Sequence, residues 1–186
     1  MQIQEYALPW SSRLLTCPLP PDADHTLQHQ RAWSLLAHAL GERRPACYRL
    51  PGGKPVLRNR PGVYFSLSHC AGLAACLIAG TVCGVDAEGI RPLRQRVLQR
   101  AFSPEEQAQV KHSPCPDETF FRLWTLKESY IKATGCGLSF PLAAVPVALD
   151  SCGQPRSTDP SWCFWQLRTD SFILSACLGR SDACAL

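Results

Sequence analysis

Apolar positions recur with helical spacing in HTLQHQRAWSLLAHALGE, at Leu27, Trp33, Leu36, Ala37 and Leu40, and Asp24 is placed to cap the first turn. Before this helix the chain is proline-rich (LPWSSRLLTCPLPPDAD), and the pattern predicts irregular structure up to about residue 24. After it, CYRLPGGKPVL reads as two short extended pieces around a Pro-Gly-Gly turn. The period then becomes two: Val63, Phe65 and Leu67 alternate with Tyr64, Ser66 and Ser68, and GLAACLIAG and TVCGVDAE follow as further strands. Residues 90–100 (IRPLRQRVLQR) predict an amphipathic helix with Leu93, Val97 and Leu98 on its apolar stripe. Ser103 and Pro104 open another helix. The strongest helical signal spans 117–134, closed by Gly135 and Gly137. LSFPLAAVPVAL, SWCFWQL and SFILSACLG read as closing strands, with a loose loop at 150–160. Clustered strands with helices between them predict an α+β fold.

Two places break these patterns. The apolar strand VCGVDAE ends on Asp86 and Glu88, which share a face if the strand runs through both. Like charges held that close repel unless a cation sits between them, although a strand-end pair turned to water is the simpler alternative. In the 117–134 helix, Lys127 falls inside the arc of Phe120, Leu123, Trp124 and Ile131, and Glu128 lies on its flank. An unpaired ion on a core-facing arc costs several kcal/mol. A snorkelling Lys127 and an exposed Glu128–Lys132 pair would avoid that cost. A helix carboxylate packed over a strand end that carries two more would instead form an all-oxygen site suited to Mg²⁺ and phosphate oxygens. Lys127 and Lys132 would then face those phosphates.

Composition narrows the class. The chain has 186 residues, 46% hydrophobic and 18% charged, a globular balance. No apolar run reaches membrane-spanning length, and MQIQEYALPW lacks the layout of a signal peptide, so a cytoplasmic address is expected. The eleven cysteines include no C-x-x-C pair and read as reduced thiols. The net charge of +4 is concentrated at Arg91, Arg94, Arg96 and Arg100, a surface suited to an acidic or phosphate-bearing partner. No nucleic-acid motif accompanies it. His69, after Ser68 at a strand end, and Lys54, after two glycines, are both compatible with phosphate binding.

Taken in order, GGKPVL, FSLSHC, GVDAE, FSPEE and RLWTLKESYIKATGCGLSFPL resemble the 4′-phosphopantetheinyl transferases of the Sfp type, over residues 52–142. W-x-x-K-E-S followed by K-x-x-G-x-G-L, downstream of G-V-D-x-E, is a specific combination. The resemblance implies two α+β halves related by a pseudo-twofold axis, divided near residue 84 into 1–84 and 85–186, with coenzyme A in the cleft between them. It implies transfer of the phosphopantetheine arm of coenzyme A to a serine of an apo acyl or peptidyl carrier protein, releasing adenosine 3′,5′-bisphosphate. The resemblance implies carriers of fatty-acid, polyketide or non-ribosomal peptide synthesis, or of several of these, without choosing among them.

By the same resemblance Asp86, Glu88 and Glu128 match the Mg²⁺ carboxylates, and Glu128 is also the base for the serine. Lys132 matches the lysine on the pyrophosphate, with Lys127 beside it. Ser68 and His69 match coenzyme A phosphate ligands, and Lys54 would lie near the nucleotide. Ser103, Pro104 and Glu105 would begin a helix that shapes the metal site. The chain departs from the usual pattern at Ser66 and Cys70, and leaves Arg31, Arg43, Arg44 and Arg49 as unseparated phosphate candidates. Arg91, Arg94, Arg96 and Arg100 would dock the acidic carrier protein, and one chain would complete the cleft as a monomer. A non-catalytic coenzyme A-binding module of the same fold is the alternative.

Overall fold

The computed structural model describes residues 1–137 and 140–180. The chain opens with a β-hairpin, β1 (Gln4–Leu8) and β2 (Ser12–Pro18), where the sequence predicted irregular structure. Two features hid it. The turn places Trp10 and Ser11 at positive φ without a glycine, and β2 is an inner strand whose Leu14 and Leu15 are both fully buried. A strand covered on both faces shows no alternation to read.

Helix α1 (His25–Leu40) begins at Asp24, whose carboxylate accepts the Leu27 amide at 2.8 Å, and ends at Gly41 in the left-handed conformation. The expected short hairpin follows as β3 (Cys47–Arg49) and β4 (Pro55–Leu57). Strands β5 (Tyr64–Cys70) and β6 (Leu73–Ala79) then complete an antiparallel sheet in the order β1-β2-β6-β5. Leu35 and Leu36 of α1 are fully buried against one face of it, with Leu15, Phe65, Ala74 and Cys76. Each such leucine is worth about 1.5–3 kcal/mol of burial.

Strand β7 (Cys83–Gly89) joins β11 (Phe172–Gly179) and β10 (Trp162–Arg168) in a second antiparallel sheet, in the order β10-β11-β7. Helix α4 (Pro116–Thr134) covers its outer face, packing Phe120, Leu123 and Ile131 with Ile173 and Cys177. A middle core built from both sheets joins the two layers, with Leu14, Leu77 and Ala75 against Val85, Ala87 and Leu174.

Between β7 and α4 run two shorter helices. The first, α2 (Gln95–Ala101), is shorter than the predicted 90–100 helix: Arg94 is extended, and Pro92 disfavours helical backbone at Arg91. The second, α3 (Pro104–Lys111), starts with a reciprocal capping box between Ser103 and Glu106. The expected strand at LSFPLAAVPVAL is reduced to a 3₁₀ turn (Leu142–Ala144) and β8 (Val147–Leu149); its Leu138 and Ser139 lie outside the described residues. The supposed loop at 150–160 supplies β9 (Pro155–Ser157), which pairs with β8 as a two-stranded edge where a strand proline is tolerated.

The described cysteines form no disulfide. Burial raises the thiol pKa of Cys76, Cys83 and Cys177, which pack as small apolar side chains. Among the described residues no helix is long and apolar enough to cross a membrane.

Candidate active site

The seam between the two sheets is where the chemistry gathers. On β5 the side chains of Ser66 and Ser68 do not face solvent but turn toward β7, and both are buried. Ser66 Oγ accepts the Val85 amide at 3.0 Å, and Ser68 Oγ accepts the Ala87 amide at 3.1 Å. Two hydroxyls thus do for β5 and β7 what ladder carbonyls do within a sheet. Ser66 takes part in this seam directly.

Gly84, Asp86 and Glu88 share the opposite face of β7, under α4. A Cβ at Gly84 would overlap the backbone of Ser129 and Ala133, so the glycine lets α4 lie directly on the strand. That approach carries Glu128 and Lys132 over the end of β7. Lys132 Nζ donates to Asp86 Oδ1 at 2.8 Å and to Ser68 Oγ at 3.0 Å, while Ser68 Oγ donates to the same Asp86 oxygen at 3.1 Å. Asp86 Oδ2 is buried and has no hydrogen-bond partner. Glu88 Oε2 accepts from Arg91 Nη1 at 2.8 Å. Burial raises the Glu128 pKa, and the charges of Asp86 and Glu88 push it the same way against Lys132.

These features fit a divalent cation. An unpartnered, buried carboxylate oxygen beside a carboxyl that burial, and then like charges, hold back from ionising is what such an ion would relieve. Among the described residues no three metal-ligating side chains are gathered into one ligand set, and Asp86 and Glu88 are paired with Lys132 and Arg91.

Not every expected residue arrives there. Lys127 is fully buried on the other side of α4, its ammonium 2.7 Å from Glu106 Oε1 and 2.8 Å from the Leu142 carbonyl. It is a core ion pair, not a phosphate ligand. Glu106, which the sequence reading passed over, is its partner, and the SPEE capping box was the signal that placed it there. The neighbouring Glu105 is fully exposed at the helix start.

Lys54 reaches inward: its ammonium donates to the Ala133 carbonyl at 2.7 Å and the Cys83 carbonyl at 3.1 Å, and burial lowers its pKa. A cavity of about 290 Å³ lies beside it, lined by Gly52, Gly53, Phe65, Glu128, Ile131 and Lys132 among others. Apolar walls there give way to charge at Glu128 and Lys132. His69 is half-buried near the same edge, its Nδ1 3.1 Å from Gln28 Oε1, with the His25 ring 4.9 Å away. Burial first, then His25, His29 and Lys132, lowers its pKa. Arg91, Arg94, Arg96 and Arg100 are all exposed, but Arg91 and Arg94 precede α2 and do not form one helix face. The structure thus brings together Asp86, Glu128, Lys132 and Ser68, sets Glu88 and His69 at the margin, keeps Lys54 on the cavity wall, and turns Lys127 to a core ion pair.

Comparison with known proteins gives the family. The pattern of the 4′-phosphopantetheinyl transferase superfamily matches residues 82–177, and the chain belongs to that family. It is 34% identical over 137 residues to the 4′-phosphopantetheinyl transferase Sfp of Bacillus subtilis, covering 70% of this chain and 61% of that one. It is 35% identical over 138 residues to the 4′-phosphopantetheinyl transferase AcpT of Escherichia coli O157:H7, covering 67% and 69%. With the 4′-phosphopantetheinyl transferase HetI of Nostoc the identity is 35% over 133 residues, covering 67% and 56%. The match thus spans less than two thirds of the length of Sfp and HetI.

Proposed function

We propose that this protein transfers the 4′-phosphopantetheine arm of coenzyme A to a serine of an apo acyl or peptidyl carrier protein. The observation that carries this reading is the buried, unpartnered Asp86 Oδ2 beside Lys132 and the raised carboxyl of Glu128. Asp86, Glu88 and Glu128 would hold Mg²⁺, which when bound stabilises charge on the pyrophosphate. Glu128 accepts the proton of the carrier serine, whose oxygen attacks the phosphorus that bears the pantetheine arm. The bond from that phosphorus to the bridging oxygen breaks, and adenosine 3′,5′-bisphosphate leaves. Lys132 neutralises the leaving phosphate. Ser68 holds Asp86 and Lys132 in place, and His69 supplies a polar rim for coenzyme A phosphates.

Residues 1–84 form the nucleotide side and 85–186 the catalytic side. One outer helix per sheet supports a pseudo-twofold relation between them, and a single chain then completes the cleft as a monomer. The exposed Arg94, Arg96 and Arg100 suit an acidic carrier surface.

Intact-mass analysis of an apo acyl carrier protein incubated with this protein, coenzyme A and Mg²⁺ tests the reading. A gain of one phosphopantetheine that EDTA abolishes is the expected result. No gain on several carriers, with coenzyme A still bound, would assign the chain as a binding module.

A further inference from the structure

Arg91 belongs to two surfaces at once. It is one of four exposed arginines around α2, and its Nη1 holds Glu88 Oε2 at 2.8 Å and the Gly89 carbonyl at 3.0 Å. Its guanidinium lies 4.6 Å over the Phe121 ring. Together with Glu88, Arg94, Val97, Phe121 and Trp124 it lines a pocket of about 200 Å³. That pocket connects the arginine-rich surface to a carboxylate of the catalytic cluster. Arg94, Arg96 and Arg100 make no ion pair with a carboxylate of that cluster among the described residues.

We infer that Arg91 is a latch that couples docking of an acidic partner to binding of the divalent cation. The inference rests on reading Asp86, Glu88 and Glu128 as cation ligands. A guanidinium on Glu88 neutralises the charge that attracts a dication, so the two cations compete for one carboxylate. A carboxylate of the docking partner exchanges for Glu88 on Arg91, frees Glu88, and tightens the metal site. The apolar walls of Val97, Phe121 and Trp124 favour a partner that presents an apolar side chain beside its acidic ones, as an acidic amphipathic helix does. Reciprocity requires that bound metal tighten the partner by the same factor. An exposed pair of this kind sets the scale at about two- to five-fold.

The test is Mn²⁺ affinity measured by electron paramagnetic resonance, a binding readout independent of turnover. Arg91→Met keeps the stem over Phe121 and removes the charge, and we expect it to tighten Mn²⁺ about two- to five-fold. Arg91→Lys retains wild-type affinity, and in a Glu88→Gln background Arg91→Met changes nothing. Apo acyl carrier protein tightens Mn²⁺ in the wild-type protein and not in Arg91→Met. Unchanged or weaker Mn²⁺ binding in Arg91→Met, or no Mn²⁺ binding by either protein, overturns the latch. Arm transfer without that tightening sinks the latch alone, whereas absence of transfer in the mass assay counts against the transferase reading.

Discussion

Gly84 lies against the backbone of Ser129 so closely that no side chain fits between strand and helix. This contact sets the height of α4 above β7, and with it the reach of Lys132 to Asp86. Gly84→Ala forces α4 outward. Overpacking against backbone costs about 3 kcal/mol, and displacing reacting groups by an ångström costs about 100-fold in rate. A lower urea midpoint together with slowed arm transfer is the expected outcome; a fully active, equally stable variant would show that the helix height is not what positions the site.

Lys54 and the last turn of α4 make a second tie, between the Gly-Gly loop and the catalytic helix. Lys54→Met leaves the carbonyls of Ala133 and Cys83 without their donor, at about 1–3 kcal/mol for each left unsatisfied. Both stability and apparent affinity for coenzyme A fall together in that case. If chemical denaturation shows wild-type stability and only the KM for coenzyme A rises, Lys54 acts as a direct ligand instead of a tie.

Glu128 predicts an unusual pH dependence. Its folded-state pKa is raised, so the folded protein holds this proton more tightly than the unfolded chain does. Stability from this group is therefore complete below the unfolded value, about 4.3, and is lost as pH rises from there through the folded value. Glu128→Gln should consequently raise Tm at pH 7, lose that advantage near about pH 4, and abolish arm transfer. Equal Tm values for the two proteins at pH 7, by calorimetry in metal-free buffer, would show that the carboxyl carries no such strain.

The carboxylates and the long helix were legible in the sequence because each violates a simple period: Asp86 and Glu88 end an apolar strand, and Glu128 flanks an apolar arc. Lys127 violates the same arc for a different reason. Its partner Glu106 is 21 positions away on another helix (127 against 106), and sequence spacing alone could not distinguish a core ion pair from a ligand. Periodicity also failed on the N-terminal hairpin, where inner-strand burial removes alternation, and at β9, where three residues are too few to carry a pattern. The alternation at Ser66 and Ser68 does not tell which face they take; their hydroxyls are buried and spent on the β7 backbone. The course of 90–94 depends on Pro92 and on the grip of Arg91 on Glu88, the second of which no local pattern encodes.

Ser68 has one proton to give and two lone pairs to offer, and all three are taken: by Asp86, by the Ala87 amide and by Lys132. A single oxygen atom therefore joins a strand from each sheet and a helix. Alanine deletes three connections at once, and a carboxamide or thiol reproduces the reach, size and bonding capacity of the hydroxyl only in part. In a saturation scan this position should stand out as nearly intolerant of replacement, with threonine the nearest substitute. Its side chain acts as a common pin for groups that separate elements of the chain bring to the site.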